Sequence, residues 1–419
     1  MTRAARAAMT TIAVIGASAR AAAQSARRAG LHVVAADRFA DADLAATLRA
    51  NGPVYPAVDW DGGLADWLDS TDAEAWLYCG PLENRPELVD QLAHRKPLWG
   101  VAAASLRRVR SPEQLAAVVC RSGWRTPPLV RDPRGLPSDG SWLCKRDHSG
   151  GGCGVTVWSG EDGGADLLDG PRHWQQRVPG TPRSALFCAS PRGVEFLTVA
   201  AQLCGQSWCA APEFHYCGAI APLSVMESQR GKLQALGDAL AESFQLRGLF
   251  GVDFMAADDG WYVLEVNPRY TASVEAWELA AGESALARHA AAFHARADGA
   301  RNLATAGRAA SASAAPQLPT VVGKAILYAR RPLLIDATTS AAWLATSSWR
   351  GFDGSDVLVA DIPPPDTQIA AGSPVATVLV RADSPVAARS RLETAAAAVY
   401  NQMAACEIGE PAAAASPHD

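Results

Sequence analysis

One stretch constrains this chain more than any other: Leu249-Phe250-Gly251-Val252-Asp253-Phe254, followed by Trp261-Tyr262-Val263-Leu264-Glu265-Val266-Asn267-Pro268-Arg269. Two apolar runs flank Ala257-Asp258-Asp259-Gly260, which is rich in turn residues, and together they read as a β-hairpin. A three-residue loop over Asp258–Gly260 gives Gly260 the left-handed position such loops favour. It pairs Ala257 with Trp261 and sets Asp253 opposite Glu265. A two-residue loop puts those carboxylates on opposite faces, because side chains alternate along a strand. In the three-residue register two carboxylates face each other, with Asn267 two residues on and on the same face. Opposed like charges destabilise a sheet unless something neutralises them. Oxygen ligands at this density suit a hard cation such as Mg²⁺, held by a few carboxylates and by substrate phosphates. Arg269 follows at once, planar and permanently charged, a good partner for phosphate. An exposed hairpin tip with no function satisfies the same residues, so the hairpin alone leaves both readings open.

A second constellation lies about 100 residues upstream. Trp142-Leu143-Cys144-Lys145 reads as a strand ending in lysine, followed by Arg146-Asp147-His148 and the loop Ser149-Gly150-Gly151-Gly152-Cys153-Gly154. Glycines at this density let backbone N–H groups converge on an anion without side-chain obstruction. A lysine at the strand end reaches the same phosphates as a mobile point charge. The order is not that of a P-loop, Gly-x-x-x-x-Gly-Lys-Ser/Thr. A flexible hairpin tip is the plainer alternative for such a loop. Between the two constellations, His173-Trp174-Gln175-Gln176-Arg177-Val178-Pro179-Gly180 is a short strand broken by Pro-Gly, able to present backbone groups to an adenine edge.

The bulk properties narrow the classes. At 419 residues the chain has room for two to four domains. A net charge of −5 over that length argues against nucleic acid or an anionic membrane as main partner. The nine cysteines form no Cys-x-x-Cys pair, which favours reduced thiols over a disulfide framework or zinc ribbon. No apolar run approaches the roughly 18–20 residues of a membrane helix. The start, Met1 to Met9 with Arg3 and Arg6, superficially resembles a signal peptide. Its apolar stretch is short and runs into Gly16-Ala17-Ser18, so it reads as a tail before a first strand, with Met9 an alternative start. The cytoplasm is the expected location.

Along the chain the class is α/β, grading into α+β. Residues 1–10 read as a disordered tail. Residues 11–104 follow βαβ grammar, with strands at Thr11–Ile15, Leu31–Ala36 and Ala75–Cys79 and helices at Ala19–Ala29 and Pro86–His94, implying a parallel sheet. The turn Gly16-Ala17-Ser18-Ala19-Arg20 lacks the later glycines of the dinucleotide fingerprint. Gly80-Pro81-Leu82-Glu83-Asn84 is a candidate ligand loop after a strand, and equally a plain connection. Residues 105–295 carry both constellations, with a lid subdomain at about 124–177. Residues 296–319 read as a linker, residues 320–406 as a small β-rich domain closed by a helix from Pro385, and residues 407–419 as a disordered tail.

In order and spacing these segments resemble the ATP-grasp superfamily over roughly residues 10–405. The resemblance implies an ATP-grasp fold with an N-terminal parallel-sheet pre-ATP-grasp domain and a small C-terminal mainly β domain of the biotin-carboxylase-like kind. It implies ATP and Mg²⁺ (or Mn²⁺) as cofactors. Lys145 and Ser149, Gly150, Gly151, Gly152 and Gly154 would lie over the ATP phosphates. Gln175, Gln176 and Val178 would form the adenine hinge, although many members carry glutamate where Gln175 stands. Asp253, Glu265 and Asn267 match the metal ligands, and Arg269 the phosphate-contacting arginine of a Glu-x-Asn-x-Arg signature. Members usually have a second cation, often lysine, near the start of the region. Here the stretch Leu106 to Pro112 has no lysine, and Arg110 is the candidate. Phe214-x-Tyr216-x-Gly218-x-x-x-Pro222 and Asn267 to Glu275 resemble a subgroup of predicted ATP-dependent carboligases.

The activity implied is ligation of a carboxylate to an amine through an acyl phosphate, with Lys145 and Arg269 as catalytic residues. Some relatives join glutamate to amines in cofactor synthesis. The alternatives are a biotin-carboxylase-like carboxylase and a non-catalytic ATP-binding regulatory protein. Glu213, His215, Tyr216, Arg230 and Glu275 are candidates for an acceptor pocket. Small-molecule substrates are the expected partners, and a homodimer is the prior for such a chain.

Overall fold

Short apolar strands alternating with helices build a parallel sheet at the N terminus. Its strands β1 (Thr11–Gly16), β2 (His32–Asp37), β3 (Tyr55–Pro56) and β4 (Ala75–Tyr78) lie in the order β3-β2-β1-β4. Within β1, Ile12 and Val14 pack with helix α1 (Arg20–Arg28), while Ala13 and Ile15 face the layer that holds Val89 and Leu92. Both faces of this strand are covered, so its apolar residues run without alternation, as parallel strands do. The computed structural model describes residues 10–48, 52–56, 60, 62–160, 170–294, 320–347 and 357–409. The linker expected at 296–319, the tail before Thr10 with both candidate starts, and residues 410–419 of the expected C-terminal tail lie outside the described residues, whereas Glu407 and Ile408 of that tail are held against Leu333 and Pro332.

After helices α2 (Ala42–Leu48), α3 (Leu64–Ser70), α4 (Pro86–Ala93), α5 (Ala103–Val109) and α6 (Pro112–Arg121) comes a small antiparallel sheet. It is made of β5 (Leu129–Val130), β6 (Trp142–Arg146), β7 (Val155–Val157) and β8 (Arg172–Gln176), in the order β5-β8-β6-β7. The main body is an eight-stranded sheet. Its central part holds β9 (Thr181–Ser190), β10 (Gly193–Cys204), β11 (Tyr216–Leu223), β12 (Gly248–Ala257) and β13 (Gly260–Asn267). One face packs on α7 (Glu227–Phe244) through Leu233, Leu236 and Phe187, the other on α8 (Ala272–Ala281) and α9 (Ala285–Phe293) through Leu186, Val274 and Leu286. These two apolar layers are continuous with the two faces of the N-terminal sheet.

The C-terminal part is β-rich but has no separate principal sheet. Its strands β14 (Val321–Tyr328), β16 (Val357–Ala360) and β18 (Pro374–Ala382) extend the large sheet in the order β13-β12-β9-β10-β11-β14-β18-β16, with β14 pairing to β11. Only β15 (Leu333–Ile335) and β17 (Thr367–Ile369) pair apart from it. The helix Pro385–Met403 closes this end through Leu392 and Val399.

A buried ionic network joins the parts. Arg20, 1% exposed, pairs with Glu275 and, through Nε at 2.9 Å, with Asp361. Lys324 Nζ donates to Glu275 at 2.6 Å, and Asp43 accepts from the backbone N–H groups of Asp361 and Ile362. Buried charges persist where each has a partner. Among the described residues no helix is long and apolar enough to cross a membrane, and all nine cysteines are free thiols.

Candidate active site

β12 and β13 place Asp253 opposite Glu265 and Gly251 opposite Asn267. The route to that register differs from the sequence expectation. The turn has two residues, Asp258 and Asp259, and pairs Ala257 with Gly260 rather than with Trp261. Asp259 tightens it, accepting hydrogen bonds from Tyr262 Oη at 2.7 Å and Arg125 Nη1 at 2.8 Å. Continued regularly, such a hairpin would pair Asp253 with Leu264 and turn Glu265 away. Instead the ladder shifts between Phe254, opposite Val263, and Asp253, opposite Glu265. Leu264 is thus the extra residue of a β-bulge, which returns Glu265 to the face of Asp253. On the other side of β12, Ser184 of β9 lies opposite Asp253.

Asn267 ties the pair together, its Nδ2 donating to Asp253 Oδ2 at 2.9 Å and to Glu265 Oε1 at 3.3 Å. Arg110, at the end of α5, donates from Nη1 to Glu265 Oε2 at 3.2 Å and from Nη2 to the Ser149 carbonyl at 2.6 Å. Its Nε is buried without a hydrogen-bond partner. Burial, with the nearby Glu265 charge, pushes the Asp253 carboxyl up to about 7. Burial acts upward on Glu265 too, but Arg110 and Lys145 hold it below the ordinary carboxylate value. Lys145, at the end of β6, donates to Gln175 Oε1 at 3.1 Å; burial lowers its pKa, opposed by Glu265 and Asp253. Two facing carboxylates and an amide are a donor set whose charge a hard divalent cation neutralises, so these residues fit Mg²⁺.

A cavity of about 410 Å³ gathers these groups. Lys145, Ser149, Gly150, Gly151, Gly152, Gln175, Gln176, Val178, Asp253, Glu265, Asn267 and Arg269 all line it. Leu143, Val155, Met255 and Leu264 supply apolar wall suited to a base. The glycine loop lines the cavity and is held against the start of β11. Tyr216 N–H donates to the Gly151 carbonyl at 2.9 Å, and Gly152 has φ +80°. A Cβ on Gly152 would stand 2.0 Å from the Phe214 carbonyl oxygen, so only glycine permits this approach. Gly154 does not reach the cavity; its carbonyl accepts from Arg146 N–H within the loop stem.

Of the acceptor candidates, Tyr216 alone lines the cavity, its Oη buried beside Ser273. Glu275 belongs to the Arg20–Lys324 network instead, because helix α8 turns it inward from the sheet edge. Arg230 lies over the Phe196 ring at 5.1 Å, and Glu213, exposed, and His215, half-buried, lie outside the cavity. Sequence reasoning missed Ser184, Gln202 and Thr271 in the lining. The only signal for Ser184 and Gln202 is a polar residue on a strand of the sheet that carries the carboxylates, which requires the strand order to be known, and Thr271 stands just before α8.

Residues 114–273 match the ATP-grasp domain family, so the central part of the chain is an ATP-grasp domain. The fold agrees over nearly the whole chain. Pyruvate carboxylase of Rhizobium etli is 16% identical with TM-score 0.64, covering 92% of this chain and 37% of that one. N5-carboxyaminoimidazole ribonucleotide synthetase of Thermotoga maritima is 15% identical with TM-score 0.60, covering 93% of this chain and 98% of that one. The biotin carboxylase domain of the Hydrogenobacter thermophilus 2-oxoglutarate carboxylase, solved with MgADP and bicarbonate, is 14% identical with TM-score 0.63, covering 91% and 89%. A short match of 43 residues at 40% identity links the chain to an uncharacterized protein of Methanocaldococcus jannaschii, spanning 10% of this chain and 11% of that one. ATP with Mg²⁺ is the cofactor pair of such domains.

Proposed function

We propose that this ATP-grasp protein is a ligase that activates a carboxylate as an acyl phosphate for attack by an amine, releasing ADP and phosphate. The observation that carries the reading is the convergence of Lys145 and Arg269 with Asp253, Glu265 and Asn267 around one cavity under a glycine loop, with Arg110 outside the lining but paired to Glu265. Asp253, Glu265 and Asn267 would hold the metal ion, which when bound supplies charge neutralisation for the phosphate oxygens. Lys145 and Arg110 would steady the phosphate chain, and the Gln175–Val178 hinge would present backbone groups to adenine. Arg269 would stabilise charge on the transferred phosphoryl group and on the tetrahedral species formed when the amine attacks. The closed loop would keep water from the acyl phosphate. No covalent protein nucleophile is required.

Glutamate is the first carboxylate to try and tyramine the first amine, because the 267–275 segment resembles carboligases. Bicarbonate belongs in the same panel, since carboxylation is the nearest alternative chemistry. A homodimer in the cytoplasm is the working expectation. The test is a phosphate-release assay with Mg·ATP against panels of carboxylates and amines. Release that requires both a carboxylate and an amine supports the ligase reading, and release with bicarbonate alone favours a carboxylase. Measurable Mg·ATP binding with no release for any pair points to a regulatory ATP-binding protein.

A further inference from the structure

Glu83 and Arg269 lie 186 residues apart in sequence and meet below the cavity, with Glu83 Oε1 accepting from Arg269 Nε at 2.7 Å. Glu83 sits in a single helical turn, Leu82–Asn84, directly after β4, and is 1% exposed. Gly80 of the same loop lies against the guanidinium: a Cβ there would come within 3.1–3.2 Å of Arg269 Cζ, Nη2 and Nε. A guanidinium carries five N–H donors. Beyond the Nε bond, Nη1 reaches the Tyr270 carbonyl at 3.3 Å and Nη2 the Asn267 Oδ1 at 3.4 Å, both long. The other two N–H groups have no protein partner among the described residues, and Arg269 lines the cavity. Nε is a single donor in the guanidinium plane. A charged acceptor on it fixes the rotation of that plane while leaving the terminal nitrogens to a ligand. Glu83 Oε2 is buried with no hydrogen-bond partner, so no other donor competes with Arg269 for this carboxylate.

We propose that Glu83 is a positioning residue, holding the Arg269 guanidinium so that its terminal N–H groups face a phosphoryl group in the cavity. The N-terminal domain thereby completes the phosphate site of the ATP-grasp domain. This rests on the ATP-dependent reading above, and it differs from a mere counter-ion role in predicting an effect confined to the terminal phosphate. The experiment uses the full-length protein saturated with MgADP and titrates inorganic phosphate by calorimetry, in wild type, Glu83→Gln, Arg269→Lys and the double variant. Lysine lacks both the Nε donor and the planar fork. Glu83→Gln should weaken phosphate binding by about tenfold while MgADP affinity stays within about twofold. In the Arg269→Lys background the same change should add nothing. Glu83→Asp, which keeps the charge, should recover part of the loss and stands in if the glutamine variant does not fold.

Phosphate affinity unchanged in Glu83→Gln, although Arg269→Lys weakens it, overturns the positioning role alone. So does a full additional loss in the double variant, or an equal loss of MgADP and phosphate. Failure of the wild-type protein to bind MgADP at all removes the ATP-dependent reading and this inference with it.

Discussion

Asp253 and Glu265 face each other on neighbouring strands, with Asn267 donating to both. Burial first, and then the facing Glu265 charge, raise the Asp253 carboxyl to about 7. Removing the Glu265 charge ends its repulsion of Asp253 but also takes a partner from Arg110 and Lys145, so the two effects on stability offset while the site is disabled. Glu265→Gln is therefore expected to keep a cooperative melt within a few degrees of wild type and to lose turnover by about a hundredfold or more, since even indirect metal partners are worth ten- to a hundredfold. Phosphate release and a thermal melt check both halves, and wild-type activity would sink the metal assignment. At this scale much was legible. The Glu265-x-Asn267-x-Arg269 spacing and Lys145 before a glycine loop are local patterns, and all these side chains meet at one cavity. Ser184 and Gln202 were not legible as site residues, because each reaches the site through strand pairing, whereas Glu83 lay in a loop, residues 80–84, that read equally as a ligand loop and a plain connection.

The hairpin shows how an element can arrive at the expected face by an unexpected path. Alternation demanded that Asp253 and Glu265 share a face only if the count of residues between them came out right, and a three-residue loop was the simplest count. The chain meets the same condition with a two-residue turn and a bulge at Leu264. Turn residues such as Asp258-Asp259-Gly260 suit both, so local sequence could not choose. The side-chain bonds from Tyr262 and Arg125 to Asp259 select the tight turn, and one of those partners is distant in sequence. The glycine loop makes a second element-scale case. Its contact with Phe214 depends on Gly152, where φ is +80° and a Cβ would meet a carbonyl oxygen. Gly152→Ala should leave the melting temperature nearly unchanged, since the loop is peripheral to the core. It should weaken Mg·ATP binding by about tenfold and raise uncoupled ATP hydrolysis relative to ligation, because an open loop admits water. Nucleotide titration and the ratio of phosphate released to product formed measure this. A variant with wild-type affinity and coupling would show that the loop closes without the Phe214 contact.

Across the whole molecule the parts are fastened by buried polar groups whose partners come from different regions, which is why the C-terminal strands, legible as strands, were not legible as extensions of the large sheet. His289 on α9 is one such fastening. Its Nδ1 accepts from Leu249 N–H on β12 at 2.9 Å, and its Nε2 donates to the Trp99 carbonyl of the N-terminal region at 3.0 Å. Those partners require the neutral ring, and burial pushes its pKa from the ordinary 6.5 down to about 4. The unfolded chain therefore binds this proton more readily than the native one. The stabilisation is present in full above pH 6.5 and is lost as the pH falls through about 4. Asp37 acts in the opposite sense: burial raises it to about 6, so its contribution improves as the pH falls toward the ordinary carboxylate range. A wild-type profile alone mixes these two with Asp253 and the other buried carboxyls, whereas the difference from His289→Gln isolates the imidazole. Between pH 7.5 and pH 5 urea unfolding should show wild type losing about 2 kcal/mol more than the variant. Parallel losses in the two proteins would mean that His289 takes up its proton without disturbing the junction of α9, β12 and the N-terminal region.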